Sequence, residues 1–216
     1  SYNRMMPEMR SKGVVHVYSK LLKDVLVVAS KIEHTGILVD TNQMEKFDDI
    51  LIEEVENLHD RLFELSPIDD INPNSNQEMG KVLFSKEGFG FTCEEFSKKT
   101  KAPSITESNL TKVLSTATGD GKEFIELLLK YKTRIKQHKT YVKGVEKALA
   151  YNEDGRVYSS YNFGNVVTGR LSCSTYQVSP KHKKGISFHT LPRPDASDAV
   201  NLRSMMIADD DKVFIA

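Results

Sequence analysis

Hydrophobic residues recur every three or four positions through most of residues 1–150, which is the spacing of amphipathic helices. One stripe runs through residues 17–32 and ends before Gly36. A second runs through residues 44–65, behind a capping Asp40 or Thr41. This second helix, at about 22 residues and 1.5 Å per residue, is a rod of roughly 33 Å. Such a narrow stripe predicts antiparallel packing against another long helix.

Further helices are predicted between loops that are rich in glycine, proline and asparagine. A short helix covers about 76–84, another follows a cap at Ser104 or Thr106 and contains Leu110, and a long one covers about 122–149. Residues 37–39 are predicted to form a short extended segment. The part from about residue 1 to 150 is therefore predicted to be mostly helical.

The pattern changes at Tyr151. Asp154-Gly155 is a turn signal, and residues 156–161 favour a β-strand. The remainder is rich in glycine, serine, threonine and proline, and residues 212–216 are predicted to form a buried strand. The chain is thus predicted to join a helical part to the opening of a mixed α/β part.

Composition excludes several classes of protein. The chain has 216 residues, of which 39% are hydrophobic and 28% charged, and this fits one globular domain or two small ones. The longest apolar run, residues 25–29, is far shorter than a membrane helix, so no membrane partner is expected. The two cysteines, Cys93 and Cys173, suggest neither a disulfide framework nor a zinc site. A cytoplasmic location is expected.

Charge is distributed unevenly although the net charge is zero. Residues 31–80 carry three basic and thirteen acidic side chains, a net −10, whereas residues 121–190 carry thirteen basic and five acidic, a net +8. This separation is typical of a polyanion binder, and charged helix faces are the alternative explanation. Lys132, Lys136, Lys139 and Lys143, spaced four, three and four, form a row that could follow a phosphate backbone or simply face solvent.

The most specific motif is Thr168-Gly169-Arg170-Leu171-Ser172. Residues 155–162 precede it, and Leu191-Pro192 and residues 201–204 follow it. In these surroundings the chain resembles the family A DNA polymerases of bacteria and phages. The resemblance extends in order along nearly the whole chain, through Glu33, Gly36, Ile37, Val39 and Asp40; Asn72, Asn74, Ser75, Gln77, Leu83 and Phe84; Lys98-Lys99-Thr100 with Ala102-Pro103-Ser104 and Leu114; and Leu128, Tyr131, Lys132, Lys136, Thr140 and Tyr141.

The chain departs from the family pattern at a few positions. Cys173 replaces the second serine after Thr-Gly-Arg-Leu-Ser, and residues 176–185 resemble an insertion. His189 stands at the usual glutamine position, and Lys132 stands where arginine is usual.

The resemblance implies a particular fold. It implies a mostly α thumb of long antiparallel helices joined to the start of an α/β palm, which is an incomplete polymerase right hand. Residues 1–16 would be the end of a preceding exonuclease domain, residues 17–150 the thumb, and residues 151–216 the N-terminal part of the palm.

The resemblance also implies contacts with primer–template DNA. Arg170 would donate to the minor-groove acceptors that all correct base pairs share, with Gly169 allowing close approach and Thr168 and Ser172 flanking it. His189 would lie at the usual glutamine contact. Asn162 would touch the template or primer backbone, and a turn-capping asparagine is the alternative.

Further implied contacts are with phosphates and with the palm. Lys132, Lys136 and Lys139 would hold phosphates, and Ser104 and Thr106 would bind one at a helix N-terminus. Arg203 would support the palm or the incoming strand, and a structural ion pair is the alternative.

Catalysis is expected to depend on residues outside this chain. The family uses two metal ions, here expected to be Mg²⁺, and their first carboxylate lies in an Asp-Tyr-Ser segment after the strand that residues 213–216 resemble. No catalytic residue or metal ligand is therefore expected here, and Asp209-Asp210-Asp211 is predicted to be a turn. A second polypeptide would carry the fingers and catalytic palm, and dNTP would bind only the assembled enzyme. The alternative is a non-catalytic DNA-binding or assembly module derived from a polymerase.

Overall fold

The computed structural model describes residues 2–97, 101–163, 165–175, 177–179, 182–183, 185–193 and 198–214. The chain divides into two compact units, one formed by Asn42–Lys143 (the helical unit) and the other by Ser1–Thr41 with Gly144–Ala216 (the mixed unit). The domain limits at residues 16 and 150, which rest on the resemblance, stay predictions. Residues 98–100 of the matching loop lie outside the described residues.

Helices dominate the first 150 residues, as the stripes predict. In chain order they are α1 (Tyr2–Ser11), α2 (Val15–Val17), a π-helical turn at Tyr18–Leu22, α3 (Lys23–Thr35), α4 (Thr41–Leu65), α5 (Asn76–Phe84), α6 (Glu107–Leu114), α7 (Gly119–Lys136), a second π-helical turn at Gln137–Val142 and α8 (Lys143–Leu149). The strands are β1 (Ile37–Val39), β2 (Arg156–Val157), β3 (Ser159–Asn162), β4 (Ser172–Thr175), β5 (Gln177–Ser179), β6 (His182–Lys183) and β7 (Met206–Ile207), and 3₁₀ turns lie at Phe188–Thr190 and Leu202–Met205.

The long helices α4 and α7 run antiparallel in the helical unit. Ion pairs join Arg61 to Glu123 and Glu54 to Arg134, and Asp48 contacts His138 just beyond α7. As residue numbers fall along α4, those of their partners rise. The apolar stripes face inward, so this unit has a continuous core that includes Leu62, Met79, Leu83, Leu110, Phe124, Ile125 and Leu128, all fully buried.

The mixed unit contains three small antiparallel groups of strands. The central strand β1 pairs with β2 on one side and β7 on the other, with Ile37 opposite Val157 and Val39 opposite Met206. β3 and β4 form a hairpin, and β5 pairs with β6. The predicted insertion at residues 176–185 thus contains the β5–β6 pair; residues 176, 180, 181 and 184 lie outside the described residues.

The predicted strand at residues 212–216 is wrong in its described part. Lys212–Phe214 lie outside any strand, and Val213 and Phe214 are 80% and 60% exposed. A strand requires a partner for its backbone hydrogen bonds, and none of the described strands pairs with these residues. Residues 215 and 216 lie outside the described residues.

None of the described helices is long and apolar enough to span a membrane.

Candidate nucleic-acid interface

The Thr168-Gly169-Arg170 motif lies on the loop that joins β3 to β4. All three residues are exposed. Gly169 has a φ of +73°, and its N–H donates to the carbonyl of Val166 at 2.9 Å. An added Cβ would meet no atom within 4 Å, so the backbone conformation and not the available space favours glycine here. Arg170 follows this turn directly, two residues before β4 begins, and its side chain is exposed.

Asn162 and Ser172 close the hairpin beneath this loop. They are opposite each other in the β3–β4 register. The Ser172 hydroxyl donates to the Asn162 carbonyl at 3.3 Å, and the Asn162 amide donates to the Ser174 hydroxyl at 3.1 Å. Asn162 therefore bonds across the strand pair, and both residues lie next to the Arg170 loop.

His189 lies beside the same hairpin, in the 3₁₀ turn Phe188–Thr190. Its exposed ring contacts the edge of the Tyr161 ring, with centroids 6.2 Å apart. The Ser187 hydroxyl donates to the Cys173 carbonyl of β4 at 3.0 Å. Burial, followed by the charges of Cys173 and Glu33, raises the pKa of Tyr161. The mixed unit thus brings His189 to the hairpin, which sequence spacing alone did not show.

Arg203 holds the segment that follows His189. Its Nε donates to the Pro192 carbonyl at 3.0 Å and its Nη2 to the Leu191 carbonyl at 3.2 Å. These partners are backbone carbonyls and not the carboxylate of an ion pair. Arg203 therefore holds the Leu191-Pro192 backbone through two hydrogen bonds, although its side chain remains exposed.

Lys132 lies in the helical unit between the start of α5 and the segment before α6. Its Nζ donates to Asn76 Oδ1 at 3.0 Å and to the Ile105 carbonyl at 3.3 Å. Burial lowers the pKa of this half-buried ammonium. Lys132 is thus already engaged in two hydrogen bonds within the unit.

Ser104 and Thr106 flank Ile105 and begin α6. Thr106 is the N-cap, and its hydroxyl accepts from the Asn109 N–H. The Ser104 and Thr106 hydroxyls lie 3.2 Å apart, and the buried Asn109 amide donates to the Ser104 carbonyl at 2.7 Å. Of the two predicted caps, Thr106 is the one that caps. Ser104, Thr106 and Lys132 therefore share one corner of the helical unit.

The predicted lysine row separates into engaged and free members. Lys143 Nζ lies 2.8 Å from Asp48 Oδ2, and the other oxygen of that carboxylate lies 3.0 Å from His138 Nε2. Lys136 and Lys139 are exposed and have no ion-pair partner among the described residues. Only these two of the four lysines have ammonium groups free for phosphate.

The aspartate run forms a turn, as predicted. The Lys212 N–H donates to the Asp209 carbonyl at 2.9 Å. The hydrogen bond from Arg156, and then that from Lys212, lower the pKa of Asp209. Among the residues that the structure describes, no three His, Cys, Asp or Glu side chains are grouped to hold a metal ion.

Glu33 contacts the hairpin that carries Arg170, and the sequence predicted no role for it there. It contacts β3 from helix α3, through the Tyr161 N–H and the Ser160 hydroxyl. In the sequence, Glu33 stood out only because it matches the family pattern three residues before Gly36. That match does not indicate which residue Glu33 contacts.

Comparison with known proteins identifies the class of molecule to which this hairpin and these helices belong. Residues 41–216 match the family described as DNA polymerase family A. The chain belongs to DNA polymerase family A, which confirms the resemblance found in the motifs.

Several bacterial relatives are DNA polymerase I proteins. The chain is 28% identical over 168 residues to DNA polymerase I of Geobacillus stearothermophilus, covering 78% of this chain and 18% of that protein. It is 26% identical over 170 residues to that of Rhizobium leguminosarum, covering 79% of this chain and 16% of the relative. The chain therefore spans less than a fifth of the length of these relatives.

A solved polymerase structure shares the fold. The POL domain of Pol1 from M. smegmatis, determined in complex with DNA primer-template and dNTP, matches with a TM-score of 0.71 at 19% identity. The match covers 88% of this chain and 30% of that one. The described helices and small sheets therefore correspond to part of a polymerase domain.

Proposed function

We propose that this chain is the thumb and the N-terminal part of the palm of a DNA-directed DNA polymerase, and that it grips primer–template DNA. The observation that carries the proposal is the exposed Thr168-Gly169-Arg170 loop, held by a hydrogen-bonded hairpin in a chain of this family. Residues 17–150 and 151–216 are the proposed thumb and palm segments, and residues 1–16 end a preceding exonuclease domain.

In this proposal Arg170 tests base-pair geometry without reading sequence. Purine N3 and pyrimidine O2 acceptors occupy similar places in the minor groove of every correct pair. The guanidinium of Arg170 has no partner among the described residues, so its donors are available to these acceptors. Thr168, Gly169 and Ser172 present it, and Asn162 and His189 lie beside it.

The helical unit supplies phosphate contacts. Lys136 and Lys139 offer exposed ammonium groups three residues apart, on the helix that runs from α7 into the second π-helical turn. A second group of polar side chains in the helical unit would also face a phosphate. It consists of Lys132, Ser104 and Thr106. Such contacts give affinity that is independent of sequence and falls with salt.

Nucleotidyl transfer itself requires residues outside the described part of this chain. The described residues do not fit a Mg²⁺ site, because no three candidate ligands are grouped. In the proposal a second polypeptide carries the fingers, the catalytic palm and the ligands of Mg²⁺, and dNTP binds only the assembled enzyme. This assembly works in the cytoplasm of a bacterial or phage-infected cell.

Primer extension tests the proposed assembly. The purified chain is mixed with labelled primer–template, Mg²⁺ and dNTP, with and without a polypeptide that carries fingers and catalytic palm. We expect the chain alone to bind DNA at low salt without extending the primer, and the mixture to extend it. Extension by the chain alone contradicts the proposed division. Binding without extension in the mixture favours the non-catalytic DNA-binding or assembly module.

Replacing Lys136 and Lys139 together by alanine is expected to weaken duplex binding and its salt dependence. Each lost phosphate contact lowers the slope of log K against log salt by about 0.9, so the pair lowers it by about 1.8. Fluorescence anisotropy over a salt series measures the slope.

The matched control for this pair is Lys20→Ala with Lys23→Ala. These exposed lysines are also three residues apart and also straddle a junction between a π-helical turn and an α-helix, but they lie in the mixed unit. The control removes the same charge and should leave the slope unchanged. An equal fall in both double variants would assign the effect to net charge and remove Lys136 and Lys139 from the proposed site.

A further inference from the structure

Glu33 links helix α3 to the outer edge of strand β3. Its half-buried carboxylate accepts hydrogen bonds from the backbone N–H of Tyr161 and, at 3.2 Å, from the hydroxyl of Ser160. The acceptor is Oε1 in both bonds. One oxygen therefore holds two successive residues of the strand.

Besides Glu33 and β4, strand β3 is supported near its start by the hydroxyl of the buried Ser159, which donates to the Ile186 carbonyl. Its only strand partner among the described residues is β4, and a two-stranded hairpin alone is marginally stable in water. The opposite edge of β3 would present an unpaired N–H at Tyr161, and the Glu33 carboxylate satisfies it. A hydrogen bond to an ionised acceptor is stronger than one between neutral groups.

Apolar packing between α3 and the hairpin is incomplete. A groove of about 260 Å³ that is open to solvent lies there, lined in part by Val28, Ile32, Tyr161 and Phe188. Val28 and Ile32 are 55% and 48% exposed, so these side chains lack part of the dispersion contacts of a filled interface. The polar contacts of Glu33 consequently form a larger share of the attachment of β3 than they would in a filled interface.

The Arg170 loop depends on this attachment. Asn162 follows Tyr161 directly and pairs with Ser172, which lies two residues after Arg170. Arg170 is exposed and forms no hydrogen bond or ion pair among the described residues, so its position depends on the hairpin that carries it.

We propose that Glu33 is a positioning residue, whose carboxylate fixes β3 on α3 and thereby places Arg170 against the primer–template minor groove. The inference rests on the proposed function for its second half. Its first half, the anchoring of β3, concerns the chain itself and can be tested without DNA.

The first test measures hydrogen exchange of the Tyr161 amide by NMR in the full chain. Glu33→Ala removes the acceptor, and the exchange rate is expected to rise at least about tenfold. Glu33→Gln keeps an acceptor oxygen and should restore most of the protection. Glu153→Ala, an exposed glutamate in the same unit, is the control and should leave the rate unchanged. Unchanged exchange in Glu33→Ala overturns the proposal.

The second test is a double-mutant cycle in the extension assay. Glu33→Ala is expected to slow extension about tenfold, mainly through kcat, and Glu33→Gln by less than about threefold. If Glu33 acts through Arg170, then Arg170→Ala costs less in the Glu33→Ala background than in the unaltered chain. A residue that only stabilises the fold gives additive losses, which would overturn the positioning role.

The two tests separate the possible failures. If the unaltered chain supports no extension with its partner polypeptide, the proposed function fails and the link to Arg170 fails with it, while the exchange test still decides the anchor. If Glu33→Ala lowers Tm so far that the chain unfolds, Glu33→Asp supplies both measurements, because its shorter side chain withdraws the carboxylate from the Tyr161 N–H. Unchanged exchange in Glu33→Asp would then overturn the anchor, and additive losses for Glu33→Asp and Arg170→Ala would overturn the positioning role.

Discussion

Replacing Arg170 by alanine is expected to slow primer extension by the assembled enzyme up to about a hundredfold, while duplex affinity changes by less than about threefold. A good bidentate contact with a base edge contributes roughly 1–3 kcal/mol of discrimination. This contact forms fully only with a correct pair, so its loss affects the reacting complex more than general binding, which phosphate contacts dominate. Single-turnover extension and anisotropy on the same duplex measure the two effects.

Discrimination against mismatched primer ends is expected to fall with the same substitution. Without Arg170 the matched and mismatched ends lose the contact that distinguishes them, so the ratio of their extension rates should approach that given by base pairing alone. Arg170→Lys keeps the charge but loses the planar fork of donors, and it should recover affinity more than discrimination.

The control for Arg170 is Arg10→Ala. Arg10 is an exposed arginine in the same unit, on helix α1. Its loss should leave extension and discrimination unchanged. If Arg170→Ala reduces affinity and extension by equal factors, Arg170 contributes plain binding, and minor-groove checking is removed from the proposal.

The helices could be predicted because their stripes are long and regular. Helix α5 begins and ends at the residues that the pattern predicts, 76 and 84, because a serine cap precedes it and a change of pattern follows it. Helix α4 ends at Leu65, two residues before Pro67, near which the pattern predicts its end. Local signals of this kind require no knowledge of the rest of the fold.

The sequence could not predict which lysines form an ion pair and which stay free. The answer depends on acidic residues that are far away in the chain. Lys139 and Lys143 lie on the same predicted face, but Lys143 contacts Asp48, which is 95 residues distant. Helix α4 runs antiparallel to the helical segment from α7 to the start of α8. The register between them decides which lysine meets an acidic side chain of α4. The sequence therefore predicted a lysine row of which only part is free.

Contacts of the mixed unit are equally non-local. The motif and its neighbours indicated the Arg170 loop, but Glu33 is 128 residues from Tyr161, whose N–H it binds. The strand prediction failed for the same reason in its described part, residues 212–214, because strand formation depends on a partner more than on local composition. Local pattern identifies elements, whereas pairing across the chain determines which side chains meet.

Replacing Gly36 by alanine is expected to destabilise the chain by about 2–6 kcal/mol. Gly36 ends α3 with a φ of +61° and a ψ of −173°, a region that is essentially restricted to glycine and costs an L-residue roughly 1–3 kcal/mol. Its new Cβ would also lie 2.7 Å from Cε1 of Tyr158 and 2.9 Å from the backbone oxygen of Val157, and overpacking costs about 1–3 kcal/mol more. The hydroxyl of Tyr158 donates to Asp154, and Val157 is fully buried and paired with Ile37 of β1, so neither the ring nor the carbonyl can easily move aside.

Gly13→Ala separates these two contributions to the cost at Gly36. Gly13 has a similar φ of +68°, but an added Cβ there meets no atom within 4 Å, so only the backbone cost of roughly 1–2 kcal/mol applies. At about 2–4 °C per kcal/mol, Gly36→Ala should lower Tm by about 4–24 °C and Gly13→Ala by about 2–8 °C. Circular dichroism melts of both variants measure the difference. Equal losses would mean that β2 moves away from α3 without cost, which contradicts the β1–β2 pairing as the structural link at this turn.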